Sequence, residues 1–405
     1  MRLEDVDLLD HTVWEKGPPN ELFRRLRQAS PVHWHPEKGG SGFWAVTRYR
    51  DVLHVSRSAP LFSSYLGGTM IEDAAELELM GVRLMMLNMD PPGHTKLRAL
   101  VNKGFTPRMV EQLRARIEEL ARTIVDRAAA MRDFDFVTDV AGELPSYVIA
   151  EMMGIPLDDG RELYRLTERM HTTTPSEEAR ASSRAAVGEM LSYSAGLRSR
   201  KRAEPRSDIA SALLAAEVDG EKLGDLEFDM FFLLLINAGG DTTRNLVGGG
   251  MLALLENPVE HARLRADRGL LPGAIEEMLR FVSPVIHMRR TASADTEIAG
   301  TPVRAGDKVV LWYGSANRDE DVFPDPDRFD VARSPNEHLA FGGGGVHYCL
   351  GANLARVEIR ALFEEILDRL GGLELSGPVE RLPSVFINGP RHMPVRSHPS
   401  GARSK

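Results

Sequence analysis

Phe341-Gly-Gly-Gly-Gly-Val-His-Tyr-Cys349-Leu-Gly351-Ala-Asn-Leu-Ala-Arg356 holds the only cysteine of a 405-residue chain. Four glycines, Gly342 to Gly345, precede the sulfur, and glycine takes backbone conformations closed to other residues. Beyond it, Leu354, Val357, Leu362, Phe363, Ile366 and Leu370 recur at roughly helical spacing and predict a helix over 353–370. Cys349 is therefore expected at a helix N-terminus, where free N–H groups and the helix dipole favour a thiolate. Gly351, two residues on, leaves room for something flat and bulky to approach the backbone.

Other uses of such a cysteine fit less well. A lone intracellular cysteine is usually a small buried hydrophobe. A nucleophile would want a base, and His347 is near, but no Cys-His protease signature surrounds it. The glycine run lacks the Lys-Ser/Thr of a phosphate-binding loop. Covalent c-type haem would need a second cysteine. What remains is a thiolate in a glycine cradle, offered as an axial ligand to a cofactor.

Composition narrows the class. Length alone suggests two or three domains, yet there is no low-complexity linker and no internal repeat. Apolar residues make up 42%, enough for a large core, and the net charge of −9 argues against nucleic acid as the main partner. Met1-Arg-Leu-Glu-Asp-Val-Asp lacks an apolar signal core, and no apolar run approaches the ~18 residues that span a bilayer. A cytoplasmic protein without a membrane anchor is expected.

Phe43 to Thr47 reads as a strand before a helix around Tyr49 to Ser56, and 62–84 as an irregular loop able to cover a cavity. Asp90-Pro-Pro-Gly-His94-Thr-Lys-Leu-Arg98 opens a helix, with Asp90 or Thr95 as its cap. His94 and Arg98 share one face of it. Lys96, Arg98, Lys103 and Arg108 make 91–110 locally basic, with no acidic residue between them. Residues 110–200 read as helices broken at Pro156 and Gly160 and again at His171 to Pro175. The stretch 198–208 reads as a solvated charged connector.

A pattern over about 225–256 predicts a helix of roughly 48 Å that must cross the core. Gly239, Gly240, Asp241 and Thr242 are poor helix formers in its middle. Rule-breaking at one point of a central helix suggests a functional site; the plainer reading is a kink in which Thr242 bonds back to a carbonyl one turn earlier. Glu277 and Arg280 are an i,i+3 pair, ordinarily worth a few tenths of a kcal/mol, roughly. Arg289-Arg290-Thr291 begins a strand-like run through Ile298.

The Cys349 stretch resembles the haem-binding loop of the cytochromes P450, whose pattern is Phe-x-x-Gly-x-His/Arg-x-Cys-x-Gly-x-x-x-Ala. Gly345, His347, Cys349, Gly351 and Ala355 match by position. Phe341 stands one residue too far from Cys349, as though one glycine had been inserted. A similar lengthened loop occurs in the bacterial branch that oxidises sterols and methyl-branched lipids. Three more blocks resemble the family in the right order. His94 and Arg98 match a His-x-x-x-Arg motif that contacts a haem propionate. Ala238, Gly239, Asp241 and Thr242 match the Ala/Gly-Gly-x-Asp/Glu-Thr motif, where the glycine-opened groove admits dioxygen, the threonine hydroxyl organises water and the acid feeds protons. Glu277 and Arg280 match Glu-x-x-Arg, which with Arg333 would form a buried ion network bracing the thiolate loop. Arg290 takes the second propionate position.

The resemblance implies a single domain over 1–405 with the P450 fold. That fold is mainly α with a minor β region, and haem b lies between the central helix and the helix after Cys349. Gly342, His347 and Gly351 would help hold the haem. The implied activity is a monooxygenase that hydroxylates a lipophilic substrate (steroid, fatty-acid or terpenoid-like) with O2. With no flavin or nicotinamide domain in the chain, the electrons would come from a ferredoxin and its reductase. Val285, Ile286, Phe386 and Ile387 would line the substrate pocket, and the helices of 155–195 would form its lid. A peroxide-driven peroxygenase and a non-catalytic haem sensor are the alternatives.

Overall fold

The computed structural model describes residues 7–102, 105–170, 177–218, 220–370 and 372–398. Its longest element is the central helix Asp225–Glu256, 32 residues. The Glu227 carboxylate accepts the Gly224 N–H at its start (2.7 Å). At its end the Asn257 amide donates to the Ala253 carbonyl, and Pro258 opens the next helix. Phe228, Phe231, Phe232, Leu246, Val247, Met251 and Leu254 are all buried on it. A helix apolar on nearly every side belongs inside a core. Glu143–Met153, Leu157–Met170, Glu177–Ala203, Leu271–Val282 and Ala352–Arg369 pack around it, and Pro107–Ala129 lies along the last of these.

A mixed five-stranded sheet runs Val32–His35, Phe43–Val46, Lys308–Trp312, His287–Ala292, Phe62–Ser63. The middle strand, Lys-Val-Val-Leu-Trp, is buried at every position. Val309 and Leu311 join Val46, Val52 and Phe62 on one face. Val310 and Trp312 join Trp14, Phe23 and Phe43 on the other, which is why its sequence is an apolar run rather than an alternation. No helix among the described residues is long and apolar enough to cross a membrane.

Several local expectations change. The 62–84 segment contains the short strand Phe62–Ser63 and the helix Glu76–Val82, started by the Glu78 carboxylate on the Ala75 N–H (3.2 Å). The helix of His94 and Arg98, Gly93–Val101, has Pro92 as its cap residue. Asp90 instead accepts from Ser63 and the Ser64 N–H, tying the two segments together. Gly160 does not break a helix. It sits inside Leu157–Met170, where a Cβ would stand 2.7 Å from that of Ala150, so it permits close helix packing. The 198–208 connector is helical to Ala203, and its Lys201 is buried against Asp208. The run from Arg289 to Ile298 divides at Ala292, Thr296–Ile298 pairing with Thr301–Val303. His171 to Pro175 and Lys103 lie outside the described residues.

Candidate active site

The glycine loop is built against the helix Tyr49–Arg57. Gly342, Gly344 and Gly345 have φ of +93°, +81° and +73°, values that glycine adopts freely. A Cβ on Gly343 or Gly345 would come within 2.6 Å of Ser56. Arg57 Nε donates to the Gly343 carbonyl (3.2 Å), and the Cys349 N–H closes the loop on the Phe341 carbonyl (3.0 Å). The additional glycine is absorbed in this flush contact.

The helix that follows begins at Ala352, with Gly351 as its cap residue, so Cys349 precedes the first turn. The Gly351 N–H at the start of that helix reaches the sulfur and favours its thiolate, as the sequence leads one to expect, but burial outweighs it. Burial pushes the thiol up, against the Gly351 N–H and the charges of Arg98 and Arg356. The residue is nonetheless accessible to solvent. Coordination to a metal ion would deprotonate such a thiol outright.

Basic side chains gather around this loop. Arg98 donates to the Val346 carbonyl (3.1 Å) and the Tyr348 carbonyl (2.6 Å), on either side of the cysteine loop's last turn. The rings of His94 and His347 lie 4.4 Å apart, and Ser64 Oγ is 3.2 Å from His347 Nε2. Burial and the charges of Arg290, His94 and Arg98 push His347 down to about 2, so it is neutral. Burial likewise lowers His94, Arg98 and Arg290. Arg290 is buried with the Arg289 carbonyl as its acceptor (2.7 Å), and His94 Nδ1 is buried without a partner. Neither Arg98 nor Arg290 has a carboxylate at ion-pair distance among the described residues.

In the buried middle of the central helix Leu234, Asn237, Gly239 and Thr242 are partly accessible and Ala238 is exposed. Thr242 Oγ1 donates to the Ala238 carbonyl (2.8 Å) and Asn245 Nδ2 to the Asp241 carbonyl (2.7 Å). Asp241 is buried, 4.0 Å from Arg244, which also donates to the Tyr164 hydroxyl. The expected role of Gly239 changes. A Cβ there would meet Ile149 at 2.7 Å, and one on Gly240 would meet Tyr164 at 3.2 Å, so both glycines serve helix packing. Ala238 and Thr242 carry the open face.

Glu277 is fully buried. It accepts from Arg280 Nε and Nη2 (both 2.8 Å), Arg333 Nε (3.1 and 3.2 Å), Asn336 Nδ2 (3.2 Å) and the Asp330 N–H (3.0 Å). The three residues grouped by sequence are thus one cluster. Of the expected pocket residues, Val285 and Phe386 are partly accessible, and Ile387 is buried as the bridge partner of Val285. Ile286 belongs to the core cluster of Trp14, Phe23 and Trp312, a correction to its placement in a pocket wall. Sequence reasoning missed Ser64 and a second ion pair, Glu276 with Arg356.

Haem meets these features on the chemistry of its donors and acceptors. The sulfur is a soft ligand and is accessible to solvent. A Cβ on Gly351 would touch nothing within 4 Å, so a flat macrocycle could lie there. Arg98, Arg290 and His94 could receive its two carboxylates.

Comparisons with known proteins agree. The family model described as Cytochrome P450 matches residues 189–375. A steroid C26-monooxygenase of Mycobacterium tuberculosis is 38% identical, over 96% of this chain and 92% of its own. A methyl-branched lipid omega-hydroxylase of the same organism is 40% identical over 97% of this chain and 95% of its own. The solved structure of a Mycobacterium marinum cytochrome P450 in complex with pseudoionone superposes with a TM-score of 0.90 at 39% identity, covering 97% of this chain and 98% of that one.

Proposed function

This chain belongs to the cytochrome P450 family, and we propose that it hydroxylates a steroid or a methyl-branched or terpenoid-like chain, using dioxygen and electrons from a separate ferredoxin and its reductase. The observation that carries this reading is the group of basic side chains around the chain's only cysteine, His94 and Arg290 buried and Arg98 partly buried, with no carboxylate at ion-pair distance of either arginine among the described residues. The substrate class is supported by the relatives that act on steroids and methyl-branched lipids. The accessible face of the central helix at Leu234 and Ala238 is apolar, which suits such substrates. The protein would act in the cytoplasm as one domain over 1–405.

Haem b ligated by Cys349 would supply the oxidising chemistry, since a thiolate pushes electron density toward iron and favours O–O cleavage. Arg98, Arg290 and His94 would fix its orientation through the propionates. Arg98 would also transmit that orientation to the Cys349 loop, whose carbonyls it already holds. Thr242 uses its proton on the Ala238 carbonyl, which leaves the hydroxyl's lone pairs to accept from water on the accessible face. Asp241, the preceding residue, lies 4.0 Å from Arg244 and would pass protons inward.

The first test is the absorption of the reduced protein with carbon monoxide, which should show the band of thiolate-ligated haem; a histidine-type band in fresh protein would refute the reading. Turnover should then require ferredoxin, reductase and NAD(P)H. Product formed from hydrogen peroxide alone would favour a peroxygenase, and no product under either condition a haem sensor. A panel of C27 steroids, methyl-branched lipids and terpenoids, followed by the low-spin to high-spin change, would identify the substrate.

A further inference from the structure

A second set of charged groups grips the Cys349 loop. Glu276, beside Glu277 on Leu271–Val282, accepts from Arg356 Nε (2.7 Å) and Arg356 Nη2 (2.8 Å) and lies 3.0 Å from His338 Nε2. His338 Nδ1 accepts the Ala340 N–H (3.2 Å), which leaves the ring's proton on Nε2, facing Glu276. Arg356 reaches back from the helix after the cysteine. Its guanidinium carbon sits 4.6 Å over the Phe341 ring, and Nη1 donates to the Ala352 carbonyl (3.3 Å). Phe341 supplies the carbonyl that accepts the Cys349 N–H.

These contacts assign Arg356 a task beyond packing. We propose that Arg356, fixed by Glu276, is a positioning residue for the Cys349 sulfur: it pins the Phe341 ring, and its positive charge favours the reduced state of a metal centre ligated there. The inference rests on the reading that Cys349 ligates haem iron. A planar guanidinium can receive a carboxylate edge-on and an aromatic ring on its face at once, and Arg356 does both. The residue displaced by the extra glycine is Phe341, and Arg356 is the group that holds it.

The sign of the effect separates charge from scaffolding. Reduction adds an electron to the site, so a nearby cation favours it and a nearby carboxylate opposes it. Midpoint potentials of the haem-loaded protein would be measured by dithionite titration for the wild type, Arg356→Gln, Arg356→Lys and Glu276→Gln, with haem content recorded for each. Arg356→Gln should disfavour the reduced state by about tenfold, about 59 mV more negative for one electron. Glu276→Gln should move the potential the other way, and Arg356→Lys, which keeps the charge, should stay near the wild type. Loss of scaffolding alone would lower haem content in all three variants and shift their potentials in one direction or not at all. That outcome would overturn the inference even with a normal thiolate band in the wild type, whereas a wild type without that band would overturn the haem-thiolate reading and this one with it. Should Arg356→Gln fail to load haem, the remaining pair decides: Glu276→Gln shifted positive with Arg356→Lys unshifted supports the role, and any other pairing refutes it.

Discussion

Replacing Glu277 by Gln keeps the shape of the side chain and removes its charge, which makes it the sharpest test of the buried ion network. Two guanidinium groups converge on this carboxylate, and among the described residues neither pairs with another. Arg280 would keep the carbonyls of Asn317, Pro326 and Arg328, and Arg333 those of Pro324, Asp325 and Arg328. Carbonyls satisfy the N–H groups without neutralising the charge. Breaking a buried pair by removing one partner costs about 3–5 kcal/mol, and a glutamine would also turn an NH2 donor toward donors. Against a typical total of about 5–15 kcal/mol, that is a large share of folding stability. Arg333→Ala should cost less, because Glu277 keeps both bonds from Arg280. Urea titrations of the wild type and both variants, followed by far-UV circular dichroism and by haem absorbance, would give the order. A Glu277→Gln protein within about 1 kcal/mol of the wild type, well under the cost of a broken buried pair, would refute the reasoning. So would an Arg333→Ala protein less stable than Glu277→Gln.

Three further outcomes are expected. Gly351→Ala should leave apoprotein stability unchanged while impairing haem uptake, because its Cβ would touch no protein atom. Gly345→Ala should damage both, with φ at +73° and Ser56 O at 2.6 Å from the new methyl; parallel thermal melts and haem titrations compare them. Thr242→Ala should retain haem yet divert NAD(P)H to hydrogen peroxide, whereas Asp241→Asn should slow the whole cycle; NAD(P)H, peroxide and product measured together distinguish them. Burial opposes the charge of Glu276, but Arg356 and His338 outweigh it and hold the carboxyl down at about 2. Its folded-state value is depressed, so its contribution is present above the unfolded carboxylate range and lost as pH falls toward 2; Glu276→Gln should flatten the stability profile between about pH 4.5 and 2.

Features that repeat along the chain were legible in the sequence, and those made by distant segments were not. Apolar periodicity located the central helix at 225–256, and the resemblance to the family's Glu-x-x-Arg motif brought out Glu277 and Arg280. Glu276 and Arg356 stand 80 positions apart, Ser64 and His347 283 apart. No local pattern marks such pairs. Lys201 looked like part of a solvated charge run because composition cannot tell a surface lysine from one buried beside Asp208. Glycine is ambiguous for a similar reason. An absent Cβ opens space at Gly351 but admits a neighbour at Gly239 and Gly240, and only the position of Ile149 and Tyr164 decides which.

The same distinction explains why the cysteine's environment could be half read. Sequence placed a sulfur before a helix and credited the helix with its ionisation. In the structure, burial raises the thiol; the Gly351 N–H at the helix start opposes it, joined by the charges of Arg98, 251 positions upstream of the cysteine, and of Arg356. Arg290 and His94 add a second cost, buried donors without an anion. Both costs have one remedy, a ligand that brings a metal ion to the sulfur and carboxylates to the basic groups. Ligand affinity and folding stability are then coupled, since whatever binds the folded state alone stabilises it. A site this expensive to bury without its ligand is better explained by binding than by packing, which is the physical reason to read Cys349, Arg98 and Arg290 together.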